Sequence, residues 1–137
     1  EYASIRFDDN VYASNQTTTD DYYAAHRFNF SIDDNEESWI TKINVTWNGK
    51  GWHDTAGNNG TDLYIYNYTS GSYGSAIASN DNNAEVTLTG EKTSGISHYI
   101  NSGNVTILMK QKSSQTGDED KYRSHIETDY VKLVVTP

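Results

Sequence analysis

The sequence has no cysteine, one proline, one methionine, and only ten lysines and arginines against nineteen aspartates and glutamates. Without cysteine there are no disulfides, no thiol nucleophile and no cysteine-ligated zinc. The redox compartment stays open, because secreted proteins often but not always use disulfides. A formal net charge of −9 excludes a general nucleic-acid binder, which needs a basic face to neutralise phosphate. No run of about 18 apolar residues occurs, so no membrane insertion is expected. Aliphatic residues are scarce too: Leu, Ile, Val and Phe total 24 of 137, a poverty that, with high net charge, suggests disorder.

What is present reverses that suggestion. Eleven Tyr and three Trp add large buried area outside the aliphatic count. Disordered chains are poor in aromatic and β-branched residues and rich in Pro, Glu and Lys. Asn, Ser and Thr supply 43 residues, the composition of a polar-surfaced all-β protein. The length fits one domain, residues 1–137, and no linker or internal repeat divides it. The chain starts at Glu1 rather than Met, as expected of a processed mature form or an excised domain.

Apolar residues recur with period two. Ile43, Val45 and Trp47 alternate with Lys42, Asn44 and Thr46. Leu63 and Ile65 share one face, and Tyr64, Tyr66 and Tyr68 the other. The same rhythm runs through His26–Phe30, Val86–Thr89, Val105–Lys110 and Tyr130–Val135, and strand structure is expected from Tyr2–Phe7 onward. Gly-bearing polar segments read as turns at Asn48–Gly51, Thr55–Gly60, Ser70–Gly74, Ser79–Asn83 and Ser113–Asp120. Trp47 is assigned to the core and Trp39 to its margin. Ile96, Tyr99 and Ile100 predict one short helical turn near 94–101, too short to stand alone. The predicted fold is all-β: a two-sheet antiparallel β-sandwich of jelly-roll type with about eight or nine strands.

The stretch Gly95–Leu108, a short turn followed by Asn-Ser-Gly-Asn and a core strand, resembles a feature of galactose-binding-like jelly rolls. These include the non-catalytic sugar-binding modules of glycosidases. The closing Asp129–Thr136 is similar to their last strand. Together with Ile43–Trp47 and Leu63–Tyr66, residues 25–137 resemble secreted β-sandwich modules of surface proteins of methanogenic archaea. The resemblance implies the fold and an extracellular, cell-surface placement.

Six Asn-x-Ser/Thr sequons lack Pro at the middle position: Asn15, Asn29, Asn44, Asn59, Asn67 and Asn104. All are formally competent for N-glycosylation, with Asn15 and Asn59 in expected loops. Carboxylates cluster at Asp33-Asp34-Asn35-Glu36-Glu37 and Asp8-Asp9. Calcium takes six to eight oxygen ligands from such loops. Asp33, Asp34, Glu36, Asp8 and Asp9 are therefore candidate ligands of a structural Ca2+, against the plainer reading of a solvated acidic surface. Flat, polarised rings stack on sugars, which makes Trp52, Tyr64, Tyr66 and Tyr68 candidate carbohydrate contacts; Trp52 is expected to be exposed in a Gly-rich loop. The four histidines are scattered with no metal spacing, and no nucleophile motif accompanies them, so no catalytic residues are assigned.

These readings imply a non-catalytic extracellular structural or adhesive module. It would associate with copies of itself or with other surface proteins, into filaments or a surface layer. End strands offering an edge to another subunit would provide the contact, and deleting Glu1–Phe7 would abolish it. The alternative is a carbohydrate-binding module with an aromatic platform and a polysaccharide partner.

Overall fold

Twelve residues from Lys42 to His53 form one strand in which every second side chain, from Ile43 onward, is buried. That alternation recurs through the computed structural model, which describes residues 2–5, 13–54, 58–117 and 122–137. The strands are β1 (Tyr2–Ile5), β2 (Ala13–Gln16), β3 (Ala25–Ser31), β4 (Lys42–His53), β5 (Thr61–Ile65), β6 (Ala78–Ser79), β7 (Val86–Lys92), β8 (Asn104–Gln111) and β9 (Ser124–Thr136). Single 3-10 turns cover Asp34–Trp39 and Ile96–His98. The second is the expected turn; it places Ile96 and Ile100 in the core.

Two antiparallel sheets result. In one, β1 and β2 lie end to end along β9, followed by β4 and β7; the other has the order β3-β8-β5-β6. Counting β1 and β2 as one interrupted edge strand, this is the eight-strand jelly roll, as the alternation and turn spacing predicted. Both inner faces meet in one core. Ile43, Val45, Trp47, Val131, Leu133 and Val135 come from the first sheet; Leu63, Ile65, Val105, Ile107 and Met109 come from the second. Each large side chain buried this way contributes about 1.5–3 kcal/mol.

Two features adjust the alternation. Asn48 pairs with Tyr130 but Gly49 with Thr128, so Asp129 is an extra residue in β9. This bulge shifts the inward set from Ser124, Ile126 and Thr128 to Val131, Leu133 and Val135. The segment Asn48–Gly51, expected as a turn, is instead the middle of β4. Gly49 is there for space: a Cβ would overlap the Trp47 ring and the Glu127 carbonyl oxygen. Trp39, expected at the core margin, is 70% exposed on the first 3-10 turn, because that turn carries its side chain outside the sheet alternation.

Beside the Asp129 bulge the core holds a polar chain. The fully buried Trp47 donates from Nε1 to Thr128 Oγ1 at 2.9 Å, and His26 Nδ1 lies 2.7 Å from the same hydroxyl. One end of the sandwich is closed by polar side chains. Buried Gln111 donates to the Asn58 and Gly60 carbonyls and accepts from the Ser113 N–H and the Ser124 hydroxyl. Ser124 in turn accepts from the Ala24 N–H.

Candidate functional site

The outer face of β3-β8-β5 is built of cross-strand rows. Ala25, Lys110 and Asp62 are in register; so are Arg27, Leu108 and Tyr64. The next row holds Asn29, Thr106 and Tyr66, whose N–H donates to the Thr106 carbonyl at 2.9 Å. Period two sends Tyr64 outward because Leu63 and Ile65 enter the core. Beyond β5 the chain turns sharply. The Asn67 side-chain oxygen accepts from the N–H groups of Thr69 and Ser70, and Gly71 adopts a positive φ of 70°. This turn folds Tyr73 back onto the row.

Four tyrosines thus form a continuous array. Tyr73 meets Tyr64 edge to face at 6.2 Å and Tyr66 at 5.1 Å, and Tyr66 meets Tyr68 at 5.0 Å. Interplanar angles of 66–80° mean that the rings stand across one another and make a corrugated wall, not a flat platform. Such pairs contribute about 0.5–1.5 kcal/mol each beyond area burial. Arg27, Asn29, Tyr66, Tyr68, Tyr73 and Thr106 line a groove of about 360 Å³. Thr106 Oγ1 donates to Asn29 Oδ1 at 2.7 Å, so the Tyr68 hydroxyl, 2.8 Å away, donates to Thr106. Both contacts leave the Asn29 amide hydrogens directed elsewhere. Past the far end of β8, Lys112 bridges Asp81 at 2.6 Å and Asp62 at 3.7 Å. The hydrogen bond it donates to Asp81 raises the Lys112 ammonium above its usual range. Burial first, and the Asp62 carboxylate second, raise the Tyr64 phenol.

Trp52 belongs to the opposite face. It sits on β4, not in a loop, half-buried, with its ring parallel to His125 at 4.7 Å and the Lys50 ammonium 4.6 Å from the ring centre. His125 Nε2 is 2.6 Å from Asp54 Oδ1. Burial pushes the Asp54 carboxyl up, but the Arg123 N–H and His125 outweigh it and hold the group below its usual range. Ser14, Asn15, Gln16, Trp52, His125 and Glu127 border a second groove of about 470 Å³. The structure therefore does not unite Trp52 with the tyrosines, and one Trp52 stacking face is already taken by His125.

All 137 residues match a family described as "Uncharacterized protein, C-terminal domain". The chain belongs to that family. A protein of Archaeoglobus fulgidus described as "Uncharacterized protein" is similar to it, 32% identical over an alignment of 116 residues, with 81% of this chain and 18% of the archaeal protein covered. The chain thus spans less than a fifth of that relative.

In this member of the family the six sequons are dispersed over both sheets. Asn15 lies on β2, not in a loop, and its amide donates to the Ala25 carbonyl. Asn29 and Asn104 are exposed on β3 and β8, and Asn44 is half-buried on β4. Asn59, expected as an open loop residue, is half-buried, with its oxygen accepting from the His53 N–H. Asn67 shapes the turn that carries Tyr73. Among the carboxylates, Asp33 caps the first 3-10 turn by accepting from the Asn35 N–H at 2.9 Å, and Glu37 accepts from the Gly103 N–H. Glu36 is half-buried on that turn. Asp8, Asp9 and the Asp34 side chain lie outside what the structure describes. Among the described residues no three His, Asp or Glu side chains converge. Sequence reasoning found Tyr64, Tyr66 and Tyr68 but missed Tyr73, Arg27, Asn29 as a groove residue, and Thr106. The glycines at 71 and 74 were the one local signal that Tyr73 turns back.

Proposed function

We propose that this domain is a non-catalytic adhesive module of an extracellular cell-surface assembly, and that it adheres by holding carbohydrate against the tyrosine-lined face of β3-β8-β5. The observation that carries the reading is the four-tyrosine wall beside the groove of Arg27, Asn29 and Thr106. Aromatic rings supply apolar contact for sugar C–H faces, and the guanidinium, carboxamide and hydroxyl supply directional partners for sugar hydroxyls. Those groups bind; none is a carboxylate or imidazole suited to proton transfer at a glycosidic bond. Placement at the cell surface rests on the resemblance to secreted archaeal sandwich modules; the relative from Archaeoglobus fulgidus bears on the archaeal part of that resemblance alone.

Affinity electrophoresis against a polysaccharide panel tests the reading. The intact chain should be retarded by at least one polysaccharide. Tyr66→Ala should lose that retardation while remaining folded, because Tyr66 lies outside the core; the loss of its two ring contacts, about 0.5–1.5 kcal/mol each, lowers the melting temperature by about 3–10 °C. Retardation unchanged in Tyr66→Ala, or absent on every polysaccharide, would refute it. Self-association through edge strands is the competing reading; sedimentation velocity on the same samples would detect it.

A further inference from the structure

The tyrosine groove has a cation in its wall. Arg27 is exposed on β3 there and forms no ion pair with a carboxylate among the described residues; Lys110, its diagonal neighbour across β3 and β8, stands in register with Asp62. Lys110 places its ammonium 3.9 Å from the Tyr23 ring centre. The third base of this face, Lys112, is held by two aspartates. Lys42 pairs with Glu91 at 3.1 Å, whereas Lys50 and Lys92 rest against the Trp52 and Tyr99 rings; what sets Arg27 apart is its place in the wall of the tyrosine groove. At Arg27 the neighbours are instead Leu108 across the strand and the phenol and carboxamide groups of the groove.

From this we infer that the groove selects an acidic saccharide, a sugar bearing a carboxylate or sulfate, with Arg27 receiving the anion and Tyr66 and Tyr73 flanking the ring. The inference rests on the carbohydrate reading and narrows it. A guanidinium presents paired N–H donors matched to a planar carboxylate or a sulfate edge. The net charge of −9 repels anions at long range, so recognition must be local: Arg27 and Lys110 have to outcompete the field of the whole molecule. Selectivity for the anion should therefore collapse when one of these two charges is removed, and it should weaken as salt screens the contact.

The experiment uses the intact chain and matched pairs of probes: uronate oligosaccharides with their methyl esters, and sulfated oligosaccharides with their desulfated forms, titrated by calorimetry. The acidic member of at least one pair should bind roughly tenfold more tightly than its neutral counterpart, the contribution of one charge-assisted contact. Arg27→Gln should bring that ratio to about one, weakening the acidic member more than the neutral one; Arg27→Lys should retain part of the ratio. Tyr66→Ala should weaken both members of the pair. Equal affinity within every pair, or a ratio that survives in Arg27→Gln, overturns the acidic selectivity and leaves carbohydrate binding intact. Binding of none of the saccharides removes the carbohydrate reading and this inference with it. Binding of polyglutamate without any saccharide would assign the groove to an acidic protein partner and also overturn it.

Discussion

Thr128→Val isolates the polar chain in the core. The substitution keeps the branched shape and replaces a hydroxyl by a methyl. Thr128 Oγ1 is the acceptor for Trp47 Nε1 at 2.9 Å, and Trp47 is fully buried, so no water can replace the lost partner. Orphaning a buried donor costs about 1–3 kcal/mol. The new methyl returns about 0.8 kcal/mol at most. The His26 ring nitrogen 2.7 Å away loses its partner as well, but His26 is only half-buried and can turn toward solvent. A net loss of about 1–2 kcal/mol follows. With an unfolding entropy of roughly 2.1 cal/mol/K per residue, that loss lowers the melting temperature by about 3–7 °C. Differential scanning calorimetry at pH 7.5 measures it, and urea denaturation should show a lower midpoint with an unchanged slope. Thr128→Ser keeps the acceptor and should recover most of the loss. In a Trp47→Phe background, which has no indole N–H, Thr128→Val should cost distinctly less. A Thr128→Val protein as stable as the parent, or one whose loss is the same in the Trp47→Phe background, would refute the assignment of this hydrogen bond as a stabilising element.

Two further outcomes are expected. Burial holds the His26 imidazole below its usual range, so the unfolded chain takes up its proton first as pH falls through about 6.5. The contribution of neutral His26 is complete above that value and declines down to the lower folded-state pKa. Stability should therefore fall between pH 7 and 5 in the parent and less so in His26→Gln, as read from urea midpoints; Asp54, whose pKa is also lowered, enters only below about pH 4. Equal pH profiles would exclude His26 as the source. For the edges, β1 pairs with β9 of its own chain, Tyr2 opposite Val135 through Ile5 opposite Lys132. Deleting residues 1–5 uncovers that stretch of β9 and should raise the sedimentation coefficient through edge pairing. A strictly monomeric deletion variant would contradict this, and a polymeric parent made monomeric by the deletion would show that the strand is donated between chains.

The parts of the fold legible in the sequence are those governed by the nearest neighbours along the chain. Ile43, Val45 and Trp47, or Val105, Ile107 and Met109, announce their inward face through period two alone, and Ile96 and Ile100 mark a turn by their spacing. What stayed hidden depends on contacts across the sandwich. Gly49 and Gly51 look like turn residues, yet the reason for Gly49 is the indole of Trp47 and a carbonyl of β9. No local pattern reveals that Asp129 is an extra residue, because its burial matters only against the register of β4. The same division holds at the site. Tyr64, Tyr66 and Tyr68 share a face by parity, while Arg27 and Thr106 join them only once β3, β8 and β5 are placed side by side. Trp52 and the tyrosines looked alike as aromatic candidates until the two sheets separated them.

The two outer faces of the sandwich differ in how their polar groups are spent, and that difference bears on which of them the proposed ligand would use. On the five-stranded sheet the polar residues answer one another across the strands. Lys42 pairs with Glu91, Thr46 with Thr89, Asn48 with Thr87, and His125 with both Trp52 and Asp54. A ligand arriving there must break contacts already made, and each broken contact subtracts from its affinity. On the four-stranded sheet the tyrosines brace one another edge to face, which orders the rings before any ligand arrives. Their hydrogen-bonding neighbours are only partly used: Thr106 is committed to Asn29 and Tyr68, but Arg27 has no carboxylate among the described residues. Apolar walls that brace one another, beside a guanidinium with no ion pair among the described residues, would combine low ordering cost with a charge still to be satisfied. Under the proposed reading, a ligand that supplies both an apolar face and an anion would gain from each, and this is why the proposal is placed on the face of β3-β8-β5.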